Sequence, residues 1–273
     1  MQRTFSTPTP VSLFVELRTG ALVVHAEPTE ETVVDVSGGH EDDVTVEQHG
    51  DEISVIANRR GNGFFGSSPQ VSVRVSLPQD SRLSTKLGSA DLRVEGRVGA
   101  TKVRTGSGDV QIDEVAAEAS FEAGSGDIQV DVVNGSLQVK CGSGDVVLDR
   151  LGGPTEVSTG SGDVTVGSAQ QSLSVKSGSG DLRAREAHGD VVLNTASGDL
   201  VVDRLDGGQL TARNVSGDIH VGIPAGVPVW TDISTMSGSV SSTLAGAGEP
   251  SEGQDYIELR ARTVSGDISL EQL

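Results

Sequence analysis

Cysteine is almost missing from this 273-residue chain, which contains only Cys141. A single cysteine excludes an internal disulfide framework. No run of 18 apolar residues occurs, so the sequence offers no candidate transmembrane helix. The first twenty residues also lack an apolar stretch as long as a secretory signal requires. From these absences we expect no membrane insertion and a cytoplasmic location.

Basic and aromatic residues are also scarce. The chain has 20 Lys and Arg against 39 Asp and Glu, which gives a formal net charge of −19, and aromatic residues make up 3%. So acidic a chain repels nucleic acid and anionic lipid, and we predict no nucleic-acid partner. Acidity with few aromatic residues is also typical of disordered chains. The regular spacing of Val, Ile and Leu argues against disorder here.

One short phrase, by contrast, is abundant. Its first full copy is Gly106-Ser107-Gly108-Asp109-Val110, and Ser-Gly-Asp occurs eight times in the chain. The Asp residues of the phrase and its close variants are spaced by 18 residues, at Asp91, Asp109, Asp127, Asp145, Asp163, Asp181 and Asp199. A short fixed period of this kind indicates a solenoid, in which each repeat forms one rung.

Each 18-residue repeat predicts two short strands. Residues one and three places after each Asp are almost all apolar and therefore share one face of a strand. A second alternating run, ten, twelve and fourteen places after the Asp, predicts another strand after a bend marked by residues such as Gly153 and Gly189. Cys141 lies in the last of these columns, which otherwise holds Ala, Ser and Thr. We interpret it as a small buried side chain and not as a reactive thiol.

These patterns predict an all-β fold: a single-stranded parallel β-solenoid, of β-helix or β-roll type, with 18-residue rungs and an irregular N-terminal β cap. We expect one elongated domain over residues 1–273. Within it, 1–80 form irregular rungs and the cap, 81–213 the regular repeats, and 214–273 irregular rungs with inserted loops. We expect Trp230 to cover a wider rung, and the strand after Asp267 to be an edge strand whose charges discourage end-to-end pairing.

The repeats, together with three further segments, resemble a known family. The segments are the hairpin-like opening at 11–26, the entry segment at 71–78 and the closing Thr-Val-Ser-Gly-Asp-Ile at 263–268. Over nearly the whole chain they are similar to the bacterial "putative adhesin" β-strand-repeat family of unknown function, which is related to the toastrack-type domains. The resemblance implies a β-solenoid and, by name, adhesion. Relatives of this kind are associated with envelope-stress systems.

The row of Asp side chains is the strongest candidate for a chemical role. If the rungs stack, neighbouring carboxylates lie roughly 5 Å apart and repel each other. Each Asp can accept a hydrogen bond from an N–H group in its own Gly-rich corner. Alternatively, cations can lie along the row, as in calcium-binding β-rolls, although the second ligand corner of that nine-residue repeat is not matched here. The residues of such a cation ladder are Asp109, Asp127, Asp145, Asp163, Asp181 and Asp199.

No catalytic constellation is visible, and we predict no enzyme activity, no catalytic residues, no cofactor and no metal site. A row of identical carboxylates does not supply the two differently tuned acids of a glycosidase. Only Trp230 and Tyr256 offer rings for stacking on a sugar. The sequence predicts a structural or protein-interaction module, with an unknown protein partner at the terminal rungs or the Phe64-Phe65 loop. A calcium-binding β-roll and a carbohydrate-binding or carbohydrate-cleaving β-helix are the alternatives. The oligomeric state stays open.

Overall fold

The strands and turns of the described residues make this an all-β structure. A computed structural model describes residues 1–39, 43–57, 71–245 and 256–273. These residues form 25 strands and no α-helix, so none of them belongs to a helix that could span a membrane. The all-β solenoid predicted from the repeats is confirmed. The predicted contact loop at Phe64-Phe65 lies outside the described residues.

The chain forms two compact units, Met1–Gly135 and Ser136–Leu273. The strands of unit 1 are β1 (Gln2–Ser6), β2 (Ser12–Glu27), β3 (Glu31–Gly38), β4 (Val44–His49), β5 (Glu52–Ala57), β6 (Val71–Pro78), β7 (Arg82–Val98), β8 (Thr101–Thr105), β9 (Val110–Val115), β10 (Ala119–Ala123) and β11 (Ile128–Val133).

Two long strands, β2 and β7, organise unit 1. They pair in parallel, in one register from Ser12 opposite Arg82 to Ala26 opposite Gly96. The hairpin-like opening expected for residues 11–26 is therefore wrong, because β2 is one strand that continues through a corner. At that corner Gly20 has φ +123°, and a Cβ there would overlap the carbonyl oxygen of Val71. Glycine lets the chain turn without ending the strand.

The irregular N-terminal cap is built from antiparallel pairs. Strand β1 pairs with β3, β3 with β6, and β4 with β5, all antiparallel. Strands β5 and β6 then pair in parallel with the two halves of β2. On its other side, β7 pairs in parallel with β8 and β9, which begin the regular rungs. The first third of the chain thus closes one side of unit 1 with strands of opposite direction.

Unit 2 contains two parallel rows of strands. Its strands are β12 (Leu137–Ser143), β13 (Val146–Leu151), β14 (Thr155–Ser161), β15 (Val164–Ala169), β16 (Leu173–Ser179), β17 (Leu182–Ala187), β18 (Val191–Ser197), β19 (Leu200–Leu205), β20 (Gln209–Arg213), β21 (Ile219–Ile223), β22 (Val229–Ser237), β23 (Val240–Ser242), β24 (Ile257–Ser265) and β25 (Ile268–Gln272). Even-numbered strands pair with even-numbered ones and odd with odd, and each regular pair is offset by 18 residues, as for Leu173 opposite Val191.

The core follows the predicted columns and includes one column that the sequence analysis missed. Residues one and three places after each Asp from Asp91 to Asp199 are buried, and so are those ten and twelve places after each Asp from Asp91 to Asp181. Phe121 is among the largest fully buried side chains. Residues six places after the Asp are buried as well, namely Val115, Val133, Leu151, Ala169, Ala187 and Leu205. The three-residue step from the preceding column departs from strict alternation. Its 18-residue recurrence is nevertheless present in the sequence.

The last rungs are not in chain order. Strand β24 lies between β20 and β22, and β25 lies between β21 and β23, all in parallel pairs. The β22–β23 rung therefore precedes β24 and β25 in the sequence, but β24 and β25 lie between it and the β20–β21 rung. The expected edge strand after Asp267 is thus an interior strand. The β22–β23 rung forms the edge of unit 2, and we refer to it as the terminal rung.

Candidate functional site

The Asp residues of unit 2 form a hydrogen-bonded ladder. The backbone N–H of Asp163 donates to Oδ1 of Asp145 at 2.9 Å, and that of Asp181 donates to Oδ1 of Asp163 at 2.8 Å. The same bond joins Asp199 to Asp181, Asp218 to Asp199 and Asp267 to Asp218, at 2.7–2.8 Å. Each carboxylate therefore connects its own rung to the next one.

Unit 1 has a shorter ladder of the same kind. The N–H of Asp109 donates to Oδ1 of Asp91, and the N–H of Asp127 donates to Oδ1 of Asp109, both at 3.1 Å. From the sequence, we expect each Asp to accept an amide within its own corner. The structure shows that the amide comes from the corner of the following rung, because equivalent corners stack in register.

Small side chains support the corners from inside. The hydroxyls of Thr159, Ser177 and Thr195 each donate to a carbonyl oxygen two residues ahead, at 3.0–3.2 Å. Cys141 occupies the same column, is buried, and its Sγ lies 3.6 Å from the carbonyl oxygen of Gly144. Cys141 is thus a small buried side chain at a corner, as predicted.

The last carboxylate of the ladder has a distinct environment. Oδ1 of Asp267 accepts the backbone N–H of Ser239 at 2.7 Å and its hydroxyl at 3.0 Å. These two bonds, the backbone one first, hold the pKa of Asp267 below its ordinary value of 3.8. Within the described residues, no group of three or more His, Cys, Asp or Glu side chains is arranged to hold a metal ion. The cation ladder itself stays a prediction.

The terminal rung is the most exposed part of unit 2. Met236 is 84% exposed, Val240 51% and Trp230 50%. Residues 229–245 contain a single charged residue, Asp232, whereas charged residues make up 22% of the chain. Within the described strands, β22 pairs only with β24, and β23 only with β25. As far as the described residues show, one side of this weakly charged rung is therefore an open sheet edge.

Apolar side chains extend from this edge along the corner. Val215 and Val264 are 55% and 44% exposed and occupy the same corner position as Met236. The bridges Ser216–Ser265 and Ser237–Ser265 show that the three corners are neighbours. Earlier rungs of unit 2 have Gly142, Gly160 and Gly178 at this position. Ala196 follows in the next rung, so among the described rungs of unit 2 a large exposed apolar side chain occupies this position only close to the edge.

Trp230 lies on the outer face, so the expectation that it covers a wider rung is wrong. The guanidinium of Arg260 lies 5.8 Å from the centre of the Trp230 ring and also pairs with Glu258. Arg262 donates to Asp232 at 2.8 Å. A shallow cavity of about 290 Å³ is lined by Trp230, Asp232 and three arginines, namely Arg213, Arg260 and Arg262. Tyr256, the other ring considered for sugar stacking, is half exposed and does not line this cavity.

Unit 1 has a larger groove, of about 650 Å³, along the first residues of β2, β7, β8 and β10. Leu13, Leu83 and Ala119 form its floor, and charged residues, Arg82 and Lys102 among them, stand at its rim. The floor residues belong to the buried core, so the groove offers a narrow apolar strip between polar margins. No feature of the sequence analysis pointed to it.

Several solved structures are similar to this chain over its whole length. A "putative lipid binding protein" from Parabacteroides distasonis is 15% identical, with a TM-score of 0.53, over 100% of this chain and 96% of its own. A "putative adhesin" from the same species is 9% identical, with a TM-score of 0.46, over 100% and 96%. A "putative adhesin" from Bacteroides fragilis is 10% identical, with a TM-score of 0.33, over 100% and 96%. At 15% identity the first of these likenesses bears on the fold alone, and the other two, with TM-scores below 0.5, support no conclusion.

No curated protein matches the chain. The family model described as "Toastrack DUF4097" matches residues 12–202 and 136–271, which together include nearly every rung of both units. The 18-residue repeats, the parallel rows of strands and this match lead to one conclusion. The chain belongs to the toastrack family.

Proposed function

We propose that this chain is a non-enzymatic protein-interaction module that binds its partner at the terminal rung of unit 2. The observation that carries the proposal is the open edge of β22 and β23, which is weakly charged and flanked by exposed Met236 and Trp230. Proteins usually protect an exposed sheet edge with charges, proline or a covering element. No described element covers this edge, and an uncovered edge favours the addition of another strand.

The ladder of carboxylates supports this proposal because it holds the rungs of the sheet in a fixed arrangement. Hydrogen bonds between successive corners fix the rungs to each other, so the edge is held in place before a partner arrives. A preformed surface loses less conformational entropy on binding than a flexible one. A cytoplasmic location and a link to envelope-stress systems remain predictions from the sequence and the family resemblance.

A photo-crosslinking amino acid at position 236 tests the proposal in the cell that produces the protein. Met236 is 84% exposed, so the replacement leaves the core intact. The matched control carries the same amino acid in place of Gln138, an exposed residue of β12 in the same row of strands as β22. We expect protein adducts from position 236 and none from position 138. If position 236 gives no protein adduct, the proposal is wrong.

A second candidate function, binding of an apolar chain, is favoured by the groove of unit 1 and its floor of Leu13, Leu83 and Ala119. Titration with a fluorescent fatty acid tests it. Ser84 lines the groove, and Ser174 occupies the equivalent column of β16 in unit 2. We expect Ser84→Trp to abolish binding and Ser174→Trp to leave it unchanged. Equal binding by both variants would place the ligand elsewhere.

A further inference from the structure

We propose that the terminal rung binds a second copy of this chain, by antiparallel pairing of β22 with β22 of the partner about a twofold axis at Ile233. This inference rests on the proposed function and names its partner. It follows from the direction of the backbone groups of β22, from the order of its side chains and from the distribution of charge at the edge.

One row of backbone groups of β22 pairs with no other strand among the described residues, and this row has a defined register. The N–H of Ile257 in β24 donates to the carbonyl oxygen of Pro228, at 2.9 Å. In a parallel pair, the residues that bond to a given neighbour alternate along the strand. Alternate residues from Pro228 to Met236 therefore face β24, whereas Val229, Thr231, Ile233 and Thr235 direct their N–H and C=O groups away from it. At the corner the alternation ends, because the N–H of Gly266 donates to the carbonyl oxygen of Ser237.

Antiparallel pairing centred on Ile233 uses the outward groups of Thr231, Ile233 and Thr235. Ile233 then lies opposite Ile233 of the second copy, and Thr231 lies opposite Thr235, so that residues with outward backbone groups meet each other. These are the hydrogen-bonded positions of an antiparallel ladder. All nine residues of β22 overlap in this register, and a shift towards either end shortens the ladder.

The side chains of β22 are self-complementary in the same register. Trp230, half exposed, lies opposite Met236, and an aromatic ring beside a thioether is a favourable contact. Asp232 lies opposite Ser234, so no two like charges face each other across the ladder. Asp232 is already neutralised by Arg262, at 2.8 Å. A register centred on Thr231 instead would place Asp232 against Trp230.

Pairing also covers the open end of the core. A cavity of about 500 Å³ at this end is lined by Val229, Ile233, Val240 and Leu270, among others. In interior rungs the equivalent positions are buried, as for Ile257 and Ala261, which lie opposite Val229 and Ile233. A second copy in this register sets its own Ile233 beside this opening, and burial of apolar surface then favours association.

The net charge opposes association, and this gives the pairing a characteristic salt dependence. Each copy carries −19, but residues 229–245 contribute only one charge to the contact. Repulsion between charges further apart than about 8 Å is largely screened at physiological ionic strength. We therefore expect the dimer to become tighter as NaCl rises, the opposite of a contact held together by ion pairs.

Cysteine pairing tests the register directly in the full chain with Cys141→Ser. Positions 230 and 236 form a pair without hydrogen bonds, for which the Cα separation is about 4.5 Å, within the range that a disulfide spans. We expect Trp230→Cys alone and Met236→Cys alone to stay unlinked under mild oxidation. Their mixture is expected to give a disulfide-linked dimer that dithiothreitol separates. Linkage of either variant with itself as readily as in the mixture would overturn the register.

Light scattering after size exclusion tests the association itself. We expect the mass of the wild-type chain to double as its concentration rises, and Thr231→Lys to remain at the mass of one chain, because a lysine at the centre of the edge must be desolvated on pairing. Thr4→Lys, on the exposed strand β1, is the matched control and should dimerise. A wild-type chain that stays monomeric at every concentration overturns the second copy as partner. If position 236 still crosslinks to another protein, the proposed function survives that failure.

Discussion

The backbone N–H of Asp181 donates to Oδ1 of Asp163, 2.8 Å away, so two acidic residues 18 positions apart are joined by a hydrogen bond. Coulomb repulsion between carboxylates in successive rungs opposes this arrangement, by under about 1 kcal/mol at the dielectric constant of water. A hydrogen bond to a charged acceptor contributes about 1.5–3 kcal/mol, which exceeds that repulsion. The row of aspartates can thus stabilise the stack although its charges repel.

Two substitutions of one ladder aspartate distinguish the contribution of its hydrogen bond to stability from the contribution of its charge. Asp181→Ala deletes the acceptor of the Asp199 amide, and we expect it to lower the free energy of unfolding by about 1 kcal/mol. Asp181→Asn keeps an oxygen acceptor and removes one charge, so its stability should equal or exceed that of the wild type. Urea unfolding of both variants measures the difference. Equal losses in the two variants would show that the charge matters and the hydrogen bond does not.

A side chain at a corner glycine is expected to be costly. Gly180 has φ +129°, and an added Cβ would overlap the carbonyl oxygen of Gly162 in the preceding rung. We expect Gly180→Ala to destabilise the fold by about 2 kcal/mol or more, because backbone strain and overlap act together. Gly50 also has positive φ, but no atom lies within 4 Å of its added Cβ. Gly50→Ala should cost only about 1 kcal/mol.

The pKa of Asp267 reports on the contact between β25 and the terminal rung. The folded state holds this pKa below 3.8, so the contact stabilises the protein above pH 3.8 and is lost as the pH falls through the folded value. We expect Ser239→Ala to raise the pKa of Asp267 towards 3.8, since one of its two donors is removed. Carboxyl NMR titration measures this change. Ser241→Ala, in the same rung, should leave it unchanged.

Calcium dependence distinguishes a structural ladder from a β-roll. Oδ1 of Asp163, Asp181 and Asp199 already accepts an amide, so we expect the melting temperature to be the same with calcium and with a chelator. A protein stabilised by a bound cation melts at a lower temperature once the cation is removed. A fall in the melting temperature with chelator, reversed by calcium, would support the cation ladder at Asp109–Asp199 instead.

Much of the interior could be predicted from the sequence because it repeats. Apolar residues recur every 18 positions, as Val110 and Ile128 do in one column and Phe121 and Val139 in another. This repetition identifies buried positions without any knowledge of distant contacts. The column at Val115 was missed because it follows the preceding column by three residues and not two. The groove above Leu13 and Leu83 was also missed, because β2 and β7 are brought together over 70 positions of sequence.

The sequence by itself determined the rung. The 18-residue period, the small residue before each Gly-Asp and the alternating Val, Ile and Leu specify two strands and a tight corner through local geometry. Only the tertiary structure decided the order of the last rungs and the donor to each carboxylate. The sequence pattern of β24 and β25 is compatible with an edge position and with an interior position in the sheet. Their interior position depends on pairing with β20 and β21. That choice exposes Trp230 and Met236 at the edge, because whichever rung lies outermost has no neighbour to cover it.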